Sequence, residues 1–97
     1  MKVTIFGLGL FGGGAGAARY FAERGNNVSV TDLKSEAQLA PALAELAGLN
    51  IKYYLKSHPD ALFKNADLVV VNPAVKPNSP QLWAAQTSGA MGVVAAW

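Results

Sequence analysis

The sequence predicts an α/β domain built on a parallel sheet, and three observations carry that expectation. Short apolar runs alternate with longer segments of helical period along the chain. One run, Leu68-Val69-Val70-Val71, is apolar at every position, which suits a central parallel strand covered on both faces. A glycine-rich stretch joins the first run to the first helical segment, where parallel α/β sheets make a tight turn.

Taken in order, Val3 to Phe6 is a β-branched and aromatic run closed by Gly7, and reads as a buried strand. Residues from about Gly12 to Arg24 read as a helix with Ala17, Ala18, Phe21 and Ala22 facing inward and Arg19 and Glu23 outside. Gly25-Asn26-Asn27 ends that helix. Val28 to Thr31 is the second strand, stopping at Asp32. Ser35 and Gln38 have capping-box spacing ahead of Leu39, Leu43 and Leu46, which share one helical face, with Gly48 as the stop. Pro41 fits only a first turn, so the regular helix is expected to begin there. Ile51 to Leu55 is a third strand, Pro59 to Phe63 a short helical turn, and Leu68 to Val71 the fourth strand. Ser79-Pro80 offers a capping hydroxyl and a first-turn proline for a helix reaching about Ser88, stopped by Gly89. Gly92 to Ala95 is a last strand. The order gives a Rossmann-like five-stranded parallel sheet, with expected strand order 3-2-1-4-5 and helices on both faces.

Composition narrows the function classes. The 97 residues suffice for a single domain with one core, and 52% hydrophobic against 14% charged residues is a globular balance. The net charge is only +2 and the Lys and Arg residues are scattered, so no nucleic-acid partner is expected. Without cysteine, and with His58 as the one histidine, neither a disulfide framework nor a metal site is expected. Met1-Lys2 and the apolar stretch to Ala15-Gly16-Ala17 superficially resemble a secretory leader. The glycines at 7, 9, 12, 13, 14 and 16 would weaken the helix such a leader forms. No window reaches the length of a membrane-spanning helix, so a cytoplasmic protein with no membrane partner is expected. A buried strand rarely makes a natural terminus, and the 97 residues are expected to be a piece of a longer protein.

Chemistry concentrates in Gly7-x-Gly9-x-x-Gly12, placed after a strand and before a helix. The first glycine permits the turn, the second lets backbone approach a phosphate, and the third allows close helix–strand packing. Free amides at the helix start, added to the helix dipole, favour an anion. Asp32 stands twenty residues beyond Gly12, at the end of the second strand, where a carboxylate accepts hydrogen bonds from a ribose hydroxyl or a base donor. The alternative is a turn residue in Asp32-Leu33-Lys34-Ser35. Gly13, Gly14 and Gly16 also carry two readings: the helix starts late, near Ala15, or the loop wraps a diphosphate.

The proline-rich stretch from Asn72 to Pro80 follows the fourth strand, and should face the glycine segment where strand order reverses. Its alternative is a rigid turn feeding the next helix. Lys34 and Lys76 are candidates to meet a phosphate or are simply solvated; His58 reads as a loop residue; Tyr53, Tyr54 and Trp83 read as packing residues. No Gly-x-x-x-x-Gly-Lys-Ser/Thr loop, Gly-x-Ser-x-Gly elbow or paired acidic cluster is present, and no catalytic residue is expected within the chain.

The run from Val3 through Asp32, with Gly7-Leu8-Gly9-Leu10, Ala17-Ala18-Arg19-Tyr20-Phe21 and Glu23-Arg24-Gly25, resembles the start of the Mur ligases, nearest to their D-glutamate-adding members. Ala66 to Val75, followed by Ser79-Pro80, is similar to the fourth strand and loop of the same family. The resemblance implies an N-terminal module that holds the UDP part of a peptidoglycan precursor. It also implies a central ATP-binding domain and a C-terminal amino-acid-binding domain as partners in the parent chain. The parent would form an amide through an acyl-phosphate in the cytoplasm, with ATP and Mg²⁺ as cofactors bound outside this chain. By position, Leu10 and Phe11, with Gly9 and Gly12 beside them, would offer the diphosphate contacts. Asp32, Leu33 and Lys34 would lie by the uracil, and Pro73 and Ala74 would line the far side. Three departures stand out: Phe11 replaces a usual Ser or Thr, Ala74 a usual Gly, and Gly12-Gly13-Gly14-Ala15-Gly16 is about two residues longer than the common pattern.

Two other classes share parts of this pattern. An NAD(P)-binding module of a dehydrogenase or a potassium-transport regulator has the same glycines and acid, but the proline-rich loop and five strands rather than six argue against it. A non-catalytic interaction domain that has lost its ligand is the second alternative, with Phe11 and Ala74 in its favour.

Overall fold

The computed structural model describes residues 1–8, 13–72 and 92–95. Four strands, β1 (Lys2–Phe6), β2 (Asn27–Asp32), β3 (Ile51–Leu55) and β4 (Leu68–Val71), pair in parallel in the order β3-β2-β1-β4. The backbone of β5 (Gly92–Ala95) runs parallel beside β4, with Leu68 opposite Gly92 and Val71 opposite Ala95. The predicted helix after Ser79-Pro80 lies outside the described residues.

Alternation along the central strands sends side chains to two cores. Val3 and Ile5 of β1, Val28 and Val30 of β2 and Val70 of β4 pack on one face against Ala15, Ala17 and Ala18 of α1 (Gly13–Glu23). Leu39, Ala42 and Leu46, in and around α2 (Ala40–Glu45), complete that core. On the opposite face Phe6, Val69 and Val71 pack with Ala66 and with Phe63 of α3 (Asp60–Lys64). Helices therefore cover both faces. Each fully buried Val, Leu or Phe contributes roughly 1.5–3 kcal/mol relative to exposure.

The predicted Ser35–Gln38 pairing forms, but ahead of α2, whose N-cap is Leu39 with no side-chain cap bond. The Gln38 side-chain oxygen accepts from the Ser35 amide at 2.9 Å, and the Ser35 hydroxyl accepts from the Gln38 amide at 3.3 Å. That box closes a turn, and the regular helix follows at Ala40 with Pro41 in its first turn. α1 spans Gly13–Glu23, within a residue of the expected Gly12 to Arg24 at each end, so Gly13, Gly14 and Gly16 sit inside the helix and, of the two readings of these glycines, the late start near Ala15 is overturned. At Gly14 the reason is steric: the helix runs so close to the end of β1 that no side chain fits there.

Candidate functional site

The carboxyl end of the sheet is where open α/β folds hold ligands, at the crevice where strand order reverses. Here that point lies between β1 and β4, which are hydrogen-bonded neighbours although β2 and β3 separate them in sequence. At the end of β1 the chain leaves the sheet through Gly7, whose φ of +88° is a left-handed conformation that glycine adopts without strain. The Gly7 amide still donates to the Thr31 carbonyl at 2.8 Å, while the Asn72 amide after β4 donates to the Phe6 carbonyl at 2.9 Å.

Asp32 organises this end. It is only 6% exposed, and its two carboxylate oxygens accept from the backbone amides of Leu8 and Lys34, each at 2.9 Å. One side chain thus ties the exit of β1 to the loop after β2. Hydrogen bonds to a charged acceptor are worth about 1.5–3 kcal/mol each. The turn role and the ligand role proposed for Asp32 are compatible, because each carboxylate oxygen retains a second lone pair. Leu33 is 68% exposed and the Lys34 side chain is exposed, so both stand open beside it. Gly9, Leu10, Phe11, Gly12, Pro73 and Ala74 lie outside the described residues, as do Lys76 and Trp83.

His58 belongs to this end as well, in the loop between β3 and α3 where the sequence placed it. Its Nδ1 lies 2.9 Å from the Thr31 hydroxyl, and its ring meets the edge of Phe6 at 4.7 Å. The preceding residue, Ser57, bridges to Asp32 in antiparallel fashion. Burial holds the imidazole below its ordinary value of 6.5, and the Asp32 charge opposes that shift. The sequence carried no signal for this contact, since the partners are 27 residues apart.

Tyr53 departs from its expected packing role. It stands on an edge strand, is 36% exposed, and lines an open cavity of about 600 Å³ with Leu43 and Leu55. Partial burial still raises its hydroxyl above 10.0. Among the described residues no cluster of His, Asp or Glu has the makings of a metal site, and no helix is long and apolar enough to cross a membrane.

Comparison with known proteins gives a consistent picture. The model of the Mur ligase MurD-like N-terminal domain matches residues 1–94. The chain is 46% identical over 89 residues to a UDP-N-acetylmuramoylalanine–D-glutamate ligase of a Roseiflexus species, covering 92% of this chain and 19% of the ligase. The ligase of the same name from Geobacter metallireducens is 47% identical over 86 residues, covering 89% of this chain and 19% of that protein. The chain therefore spans about a fifth of the length of these relatives. Among solved structures, a pseudomurein peptide ligase type C from Methanothermus fervidus shares the fold, with a TM-score of 0.69 and 24% identity over 98% of this chain and 19% of that one.

Proposed function

We propose that this chain, which belongs to the Mur ligase MurD-like N-terminal domain family, holds the UDP moiety of UDP-N-acetylmuramoyl-L-alanine for a D-glutamate ligase of peptidoglycan synthesis. One observation carries the reading: relatives bearing that ligase name match about nine-tenths of the chain at 46–47% identity. The arrangement at the carboxyl end of the sheet supports it. Gly7 turns the chain out of β1, Asp32 fixes the next amide, and β1 and β4, between which the strand order reverses, pair beside them.

In this reading the sheet is the five-stranded Rossmann-like arrangement of order 3-2-1-4-5, and residues 1–97 form the first domain of a cytoplasmic enzyme. The diphosphate lies against the backbone of Gly9, Leu10, Phe11 and Gly12 at the start of α1, where the helix dipole favours negative charge. Asp32 accepts from a ribose hydroxyl or the uracil N3–H, Leu33 and Lys34 flank the base, and Pro73 and Ala74 close the far side. The chain supplies no catalytic group. The central and C-terminal domains of the parent bind ATP, Mg²⁺ and the incoming amino acid. There the precursor carboxylate takes the γ-phosphoryl group of ATP, releasing ADP, and the amine of D-glutamate displaces phosphate to form the amide.

Calorimetric titration tests the reading. UDP or a UDP-sugar is expected to bind with measurable heat while NADH gives none. Binding of NADH with no response to UDP would assign the site to a dinucleotide instead.

A further inference from the structure

The spacing Gly7-x-Gly9-x-x-Gly12 gives the close-packing role to its third glycine, Gly12. Among the described residues, a close helix–strand approach of that kind falls at Gly14. Gly14 is buried, and a Cβ there would stand 2.6 Å from the Gly7 carbonyl oxygen, 2.7 Å from Leu8 Cα and nearer still to the Leu8 carbonyl oxygen. All three are backbone atoms, so no rotation of a side chain relieves the clash. Two residues on, a Cβ at Gly16 would meet nothing within 4 Å. The close approach is therefore local, and it falls on the two residues that carry β1 into the glycine stretch. Those residues are themselves held, Gly7 by the Thr31 carbonyl and Leu8 by the Asp32 carboxylate.

We propose that Gly14 is the positioning residue of the nucleotide-binding turn, so that the motif in this chain runs Gly7-x-Gly9-x-x-x-x-Gly14. The proposal rests on the nucleotide reading above and adds a register to it. Four residues, in place of two, separate the second and third glycines. The two extra residues seen against the Mur ligase pattern then fall, in sequence, between Gly9 and Gly14. Gly14 acts by letting α1 close on Gly7 and Leu8, which sets where the helix start stands relative to the carboxyl end of β1. Gly16 has no such role, and its hydrogen side chain only weakens the helix.

The test compares Gly14→Ala, Gly12→Ala, Gly16→Ala and the Gly14→Ala/Gly16→Ala double variant. UDP titration, thermal melting and hydrogen exchange of the Leu8 amide are read for each. Gly14→Ala is expected to weaken UDP binding about tenfold or more and to speed Leu8 exchange, as a displaced helix start would. Gly16→Ala is expected to raise the melting temperature and leave UDP affinity unchanged. The double variant should regain melting temperature without regaining affinity, which separates positioning from bulk stability. Gly12→Ala should bind UDP more tightly than Gly14→Ala.

Recovery of affinity along with stability in the double variant would overturn the proposal. So would a Gly12→Ala variant that loses affinity while Gly14→Ala keeps it. If Gly14→Ala alone does not fold, the double variant and Gly12→Ala carry the comparison. Should the unaltered chain itself ignore UDP, the nucleotide reading fails separately. Leu8 exchange then still decides the register, and unchanged exchange in Gly14→Ala overturns it.

Discussion

Two aspartates grip β1 from opposite ends, and their surroundings separate their roles. Asp67, just before β4, accepts the Lys2 amide at 2.7 Å and returns its own amide to the Lys2 carbonyl at 2.8 Å. That exchange is exposed, at the amino end of the sheet. Asp32, at the carboxyl end, accepts the Leu8 amide in a buried bond and the Lys34 amide in a partly buried one. Water readily replaces a carboxylate on an exposed amide, whereas a buried amide that loses its acceptor carries the full desolvation cost. The same chemistry therefore serves as a strand clamp at one end and as an organiser of the ligand-facing turn at the other.

Substitution breaks the pair apart. Asp32→Ala removes two charge-assisted bonds and strands the Leu8 amide, for an expected loss of about 3 kcal/mol in urea unfolding, together with loss of UDP binding. Asp67→Ala is expected to cost about 1 kcal/mol and to leave UDP affinity intact. Equal losses of affinity in the two variants would erase the distinction. Side-chain identity sharpens it further: Asp32→Asn keeps a polar group of the same shape but turns a donor toward one of the amides, so its stability should fall between that of Asp32→Ala and the unaltered chain.

The smallest effect is a pH dependence that belongs to the carboxyl end alone. The His58 pKa is lowered in the folded chain, while the unfolded chain titrates near the ordinary 6.5. Between those values the unfolded state binds more protons, so stability falls as pH drops below about 6.5 through the folded value. Above 6.5 this contribution is fully present. His58→Gln should flatten that part of the stability–pH curve. In Asp32→Asn the histidine should titrate lower still by NMR, because the charge that opposes burial is gone. An unchanged His58 titration would mean that the two groups do not sense each other.

The regular parts of the fold were legible because their signals are local. The apolar run at Leu68 to Val71, the alternation through Val28 and Val30, the Ser35–Gln38 box and the constraint at Pro41 each act over a few residues. The site was legible only in outline. Gly7 and Asp32 could be placed at strand ends by spacing, but the bond from Leu8 to Asp32 joins residues 24 apart. The Thr4 hydroxyl reaches the Leu62 carbonyl across 58 positions, at 2.6 Å, and leaves no periodic trace either. An aromatic such as Tyr53 looks the same in the sequence of a central strand and of an edge strand; only the sheet order distinguishes them. The close contact at Gly14 is hidden in a sequence of glycines of identical appearance, and backbone geometry separates it from Gly16.

The most direct test of the account is an amide ¹H–¹⁵N titration of the chain with UDP. The Leu8 and Lys34 amides, held by Asp32, are expected to shift with UDP, while the Lys2 and Asp67 amides at the other end of β1 stay where they are. Shifts at Lys2 and Asp67 with Leu8 and Lys34 unmoved would contradict it.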